Sequence, residues 1–157
     1  MHLNDIALIK VKQSFAHDLR PCCLPTMQSS IYPLAKTTAV ISGWGKSLSA
    51  PNIRNSPILQ HAVLPIVDKS NIKCRTTIID ENRQLCAGYD RLSIDACSGD
   101  SGAPLIVVER DGQNQGHFVA AGIISYGNRQ CDASISSGVY TRISFYLPWI
   151  HTTLAYS

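Results

Sequence analysis

Asp95-Ala96-Cys97-Ser98-Gly99-Asp100-Ser101-Gly102-Ala103-Pro104 (DACSGDSGAP) holds a serine inside Gly99-Asp100-Ser101-Gly102. Gly, Asp and Ser are turn residues, so those four alone read equally well as an ordinary surface turn or as a tight loop presenting a hydroxyl. A serine hydroxyl becomes a nucleophile only when a neighbouring base takes its proton. Nothing in this stretch serves as that base, so its partners must come from elsewhere in the fold. Pro104 ends the turn and opens an apolar run, Pro104 to Val108, of strand character.

Outward from this loop the same pattern repeats. Strand-like runs fall at Thr38-Ala39-Val40-Ile41-Ser42, Leu59 to Val67, His117 to Ser125 and Gly138 to Ile143, with turns at Asp111-Gly112 and Tyr126-Gly127-Asn128. Many short strands at this spacing predict an all-β sandwich or barrel. Ile6-Ala7-Leu8-Ile9-Lys10-Val11 is a near-continuous apolar run and predicts a further strand. Between Lys12 and Lys36, Pro21, Pro25 and Pro33 remove ladder donors and fix φ, which predicts an extended linker. At the other end, Tyr146, Trp149, Ile150 and Leu154 fall at helical spacing and predict a short C-terminal helix from Phe145 to Leu154.

The 157 residues allow one domain, or one domain plus part of another. With 45% hydrophobic and 16% charged residues the chain can bury a real core. A net charge of +3 without a Lys/Arg cluster predicts no nucleic-acid partner. No apolar run reaches membrane-spanning length, so no membrane partner is expected. Six cysteines in so short a chain point to an oxidising, extracellular compartment. Met1-His2-Leu3-Asn4-Asp5 has neither the basic nor the apolar part of a secretory signal. Together these predict that an upstream part of the protein is missing from this sequence.

With Asp95 and Cys97 before the serine, Ala103-Pro104 after it and Asn4-Asp5-Ile6-Ala7-Leu8 upstream, the chain closely resembles the chymotrypsin/trypsin family of serine endopeptidases. ISGWGK (Ile41 to Lys46), QLCAGY (Gln84 to Tyr89), GIISYG (Gly122 to Gly127), GVYTRIS (Gly138 to Ser144) and YLPWI (Tyr146 to Ile150) follow in family order. The resemblance implies the chymotrypsin-like second six-stranded antiparallel β-barrel. Residues 1–36 would be the last strand of the first barrel plus the linker, and 37–157 the second barrel with its C-terminal helix. The barrel bearing the catalytic histidine would be absent.

The resemblance implies Ser101 as nucleophile and the Gly99 and Ser101 amides as oxyanion hole. Such donors are worth roughly 3–4 kcal/mol each in the transition state. Asp5 would hold the base's imidazole in the right tautomer. Asp95 would sit at the floor of the primary specificity pocket, where a buried carboxylate calls for a cationic partner such as a substrate Arg or Lys. Ser125, Tyr126, Gly127 and Gly138 would line that substrate-binding pocket. Asp100 would pair with the N-terminal amine released by zymogen cleavage, although no Ile-Val-Gly-Gly-like segment is present.

By the same resemblance Cys74 pairs with Cys86 and Cys97 with Cys131. A third family bridge is replaced at both ends by apolar residues, Ala39 and Val107. Cys23 resembles the cysteine that ties the protease unit to an upstream light chain or barrel, and Cys22 has no family role. No metal-type spacing accompanies them, and no cofactor or metal is expected.

No upstream block with the catalytic histidine fits before Asp5. His2 falls near the position bordering the substrate's P2 site, and His17, His61, His117 and His151 read as surface residues. The implied function is a secreted endopeptidase cleaving polypeptides after Arg or Lys and subject to protein protease inhibitors. As a fragment lacking its base it would be inactive alone, since losing the triad histidine costs on the order of 10⁶ in turnover. The alternative is a non-catalytic homologue acting as a binding or regulatory module. Further departures are Ala103, Tyr126, Gln130 and Ser137, where the family commonly has Gly, Trp, Gly and Pro.

Overall fold

The computed structural model describes residues 2–26, 31–46, 55–89, 95–110, 112–128 and 136–156. Six strands form the core: β1 (Thr38–Gly43), β2 (Gln60–Val67), β3 (Gln84–Ala87), β4 (Pro104–Arg110), β5 (Gly116–Tyr126) and β6 (Gly138–Arg142). A single-turn helix α1 (Ile72–Arg75) joins β2 to β3, and α2 (Ile143–Ala155) ends the chain. The strands are antiparallel and close in the order β1-β2-β3-β6-β5-β4. Closure pairs both sides of every strand and leaves no sheet edge.

Alternation explains most of the barrel. Ala39 and Ile41 of β1, Leu64 and Ile66 of β2, and Leu105 and Val107 of β4 point inward at spacing two and are buried. Tyr140 of β6 is fully buried among them. β6 is buried throughout and shows no alternation, and neither does β3, where Gln84, Leu85, Cys86 and Ala87 are all buried. Its outward face is covered through the Cys74–Cys86 disulfide, the pairing that the resemblance implied. That bridge closes a short loop and contributes about 3 kcal/mol in the chain-entropy account.

Ala39 and Val107 are cross-strand partners in the β1–β4 ladder, 0% and 2% exposed. The two positions that lack the third bridge thus face each other as a packed apolar pair. At the C-terminus, Ile143, Tyr146, Leu147 and Ile150 form the buried stripe of α2 and pack with Ala120, Ile123 and Ile6. The helix begins two residues before the predicted start and takes Ile143 from the predicted sixth strand.

One expectation is corrected. Ile6 to Val11 forms no strand, and Ile9 is 87% exposed. A strand is stabilised by a neighbour's N–H and C=O groups, and none of the described residues runs alongside this segment. In the proline-bearing stretch none of the described residues belongs to a named strand or helix. Among its described residues the one isolated bridge joins Cys23 to Val119, made by Cys23 N–H to Phe118 O (3.0 Å) and Ala120 N–H to Cys23 O (2.9 Å).

Candidate active site

The loop before β4 is held from inside by Asp100. Its carboxylate accepts from Gly45 N–H (2.8 Å) and Cys97 N–H (3.0 Å). A Cβ on Gly43 or Gly45 would run into that carboxylate, so the Gly43-Trp44-Gly45 turn is shaped to receive it. Here two backbone amides hold the carboxylate expected to meet an amine. Gly102 N–H donates to Ile124 O and Ile124 N–H to Ala103 O (both 2.9 Å), stitching the loop to β5. Gly99 has φ +104°, a conformation that glycine adopts without a Cβ clash. Among the described residues neither the Gly99 nor the Ser101 amide donates a hydrogen bond, and the Ser101 side chain is exposed beside them.

Next to Ser101 lies a cavity of about 200 Å³, with Asp95, Ser125, Tyr126, Gly127 and Gly138 in its lining. Asp95 accepts from the Ala96 amide through Oδ1 (2.8 Å). Its Oδ2 is buried with no hydrogen-bond partner among the described residues. Desolvation raises the Asp95 carboxyl to about 7 despite the opposing Ala96 amide. A Cβ at Gly138 would come within 2.5 Å of Asp95 Oδ1, so only glycine leaves the carboxylate room. The Tyr140 hydroxyl behind it is pushed far above its ordinary value, first by burial and then by the charges of Asp95 and Asp100.

Asp5 arrives from the N-terminal arm. The β5–β6 register slips between Ile124 and Tyr126, and the irregularity re-aims Ser125. Ser125 Oγ donates to Asp5 Oδ2 (2.6 Å), while Thr141 Oγ1 donates to the Asp5 carbonyl (2.8 Å). Asn4, at φ 58°, anchors the approach: its Oδ1 accepts from the Tyr146 hydroxyl (2.8 Å) and Arg83 Nη1 (3.2 Å). Asn is among the few residues that tolerate this left-handed backbone.

The structure therefore joins Asp5 to Ser125, and Asp95, Ser101, Ser125, Tyr126, Gly127 and Gly138 around one cavity. The sequence reading missed the anchoring roles of Asn4, Thr141, Tyr146 and Gln84. A glutamine opening the apolar run Gln84-Leu85-Cys86-Ala87 was the available signal, because a buried carboxamide demands partners.

Among the described residues no histidine hydrogen-bonds Asp5 or Ser101. His2 lies edge-on to Tyr126, with ring centroids 6.4 Å apart, and His117 is 3.8 Å from Glu109. His17, His61 and His151 are exposed. Cys22 and Cys23 are free and exposed. Cys97 is disulfide-bonded, and its expected partner Cys131 lies outside the described residues, as does Gln130. No helix among the described residues is long and apolar enough to cross a membrane.

Residues 1–150 match the family model described as Trypsin. The chain is 32% identical to the phenoloxidase-activating enzyme of Bombyx mori over 96% of its own length and 35% of that protein. It is 37% identical to the serine proteinase stubble of Drosophila melanogaster, covering 93% of this chain and 18% of the relative. For the serine protease ea of the same species the figures are 33%, 97% and 39%. The chain thus spans well under half the length of these curated relatives.

Proposed function

Because this chain belongs to the trypsin family of serine proteases, we propose that it forms the serine-bearing part of an endopeptidase that cleaves polypeptides after Arg or Lys. The observation that carries this reading is Asp95 Oδ2, buried and without a described partner, at the floor of a cavity that also reaches Ser101. A guanidinium or ammonium entering there supplies the missing partner, and its side-chain length sets the scissile carbonyl near Ser101.

Ser101 Oγ attacks that carbonyl, and the Gly99 and Ser101 amides stabilise the oxyanion. The proton passes to an imidazole supplied from outside this sequence and oriented by Asp5, whose carboxylate Ser125 steadies. The imidazole then protonates the leaving amine, and water, deprotonated by the same imidazole, attacks the acyl carbon and releases the acid from Ser101. Without that imidazole the chain does not turn over. Cys23 links the unit to the upstream part, and the enzyme acts outside the cell under the control of protein inhibitors.

The test is Asp95→Ser in the full-length protein. The change removes one side of a buried charge pair, so kcat/KM for Arg and Lys amides is expected to fall about a hundredfold to a thousandfold against neutral amides. An unchanged preference for Arg and Lys would overturn the assignment.

A further inference from the structure

We propose that Gln84 is a positioning residue for substrate recognition, fixing the aromatic corner formed by Tyr126 and His2 beside the Asp95 cavity. Gln84 is 3% exposed, and its carboxamide uses both ends. Nε2 donates to the His2 carbonyl (2.9 Å) and to the Tyr126 hydroxyl (3.1 Å). Oε1 accepts from the Ile79 amide (2.8 Å) and the Asp80 amide (3.3 Å). One side chain therefore ties together the N-terminal arm, the cavity wall and the loop closed by the Cys74–Cys86 disulfide.

The two bonds on Nε2 are the functional ones. Tyr126 is part of the cavity lining, and its ring meets the His2 ring beside that cavity. Its hydroxyl accepts from Gln84 and donates to the Thr77 carbonyl (3.1 Å), which clamps the far end of the ring from two sides. Burial raises the Tyr126 hydroxyl above its ordinary value, against the opposing Gln84 bond. His2 is held by its backbone carbonyl and not by its ring. Its imidazole is exposed and meets the Tyr126 ring edge-on, at 77°. The result is a fixed corner with one apolar face and one polar imidazole edge, next to the seat of the cleaved residue's side chain. A peptide must pass this corner with the residues preceding that side chain, whereas a single amino-acid amide need not reach it.

The inference rests on the proposed protease reading, because it assigns the corner to substrate lying ahead of the cleaved residue. In the full-length enzyme, Gln84→Met keeps side-chain length and removes the donors and the acceptor. KM for tripeptide amides is expected to rise about tenfold, the loss of one to two buried hydrogen bonds, with kcat unchanged. KM for the matching acylated single-residue amide is expected to stay within about twofold. Tyr126→Phe keeps the ring, removes the shared hydroxyl and serves where Gln84→Met folds poorly. It is expected to raise tripeptide KM likewise, and the double variant is expected to be no worse than the weaker single one.

Equal losses on tripeptide and single-residue substrates, a fall in kcat alone, or additive effects of the two substitutions would each overturn the positioning role. Failure of the Arg/Lys reading would show separately, in the unsubstituted enzyme's choice of cleaved residue. The tripeptide comparison is then made with whichever residue that enzyme accepts.

Discussion

The barrel, residues 38–142, and the arm that precedes it, residues 2–36, are built on opposite principles. In the barrel every strand is paired on both sides, and Leu64, Leu105 and Tyr140 are fully buried. In the arm Ile9 and Phe15 are 87% and 72% exposed, and a single bridge at Cys23 is the only ladder contact among the described residues. The arm is placed by point contacts: His2 and Asp5 through their carbonyls, Asn4 through its side chain, Ile6 through the α2 cluster. A dense apolar core makes a rigid platform, while the described part of the arm is held at separate points, among them Asp5, Cys23 and the Tyr32 carbonyl, which accepts from Arg142 and Ser144. Of these points, Asp5 is the one bonded to a cavity-lining residue, Ser125.

The sharpest way to break this contrast is to ask whether both regions enter one reaction. In the full-length protein Ser101→Ala is expected to lower amide turnover by on the order of 10⁶, and Asp5→Asn by about 10⁴. Steady-state rates on an arginine amide would measure both. If Asp5→Asn retained near-normal turnover, the arm would be a structural tether and nothing more.

A smaller effect concerns the platform itself. Leu64→Ala removes a fully buried side chain and is expected to cost about 3 kcal/mol in urea unfolding. Ile9→Ala in this 157-residue chain is expected to change stability by less than about 0.5 kcal/mol, since it removes an exposed side chain. Equal costs would show that the arm is packed like the barrel. A larger Ile9 cost in the full-length protein would locate a partner that covers residues 6–11.

The smallest effect is electrostatic and belongs to the barrel alone. Burial holds the Asp95 carboxyl at about 7, against an ordinary value of 3.8. The raised value means that the folded state binds the proton more tightly than the unfolded one. This group's contribution to stability is full below the ordinary value and is lost as pH rises through about 7. An aromatic amidine needs the ionised carboxylate, so below about pH 7 it must expel a proton to bind. Its affinity is expected to fall about tenfold per pH unit there and to level off above. A flat profile, or one unchanged by Asp95→Ser, would break the link between the buried carboxylate and the cation.

How much of this was legible beforehand depended on what each residue's signal was made of. Strands β1, β2 and β4 carry the alternation of half-buried strands, a local property, whereas β5 and β6 were readable as longer strand-like runs between turns. The four-residue β3 was not, because it is buried on both faces and is too short to stand out as a run. The apolar run at Ile6 to Val11 misled for the converse reason: strand propensity is local, but a ladder needs a neighbour. Ser101, Asp95 and Asp5 were named from motif blocks, and the geometry around them was not. Ser125 reaches Asp5 from 120 positions away at the register slip in β5, a pairing that no local pattern encodes.

By itself the amino-acid sequence determined the family, the all-β class and the C-terminal helix. These depend on residue types at short spacings, which the chain carries wherever it folds. Only the tertiary structure decided that Asp95 lies desolvated beside Gly138, that Asp100 is gripped by the Gly43–Gly45 turn, and that Gln84 joins arm, cavity wall and disulfide loop. Desolvation and buried hydrogen bonds are properties of what surrounds a group, and that surrounding is assembled from segments far apart along the chain.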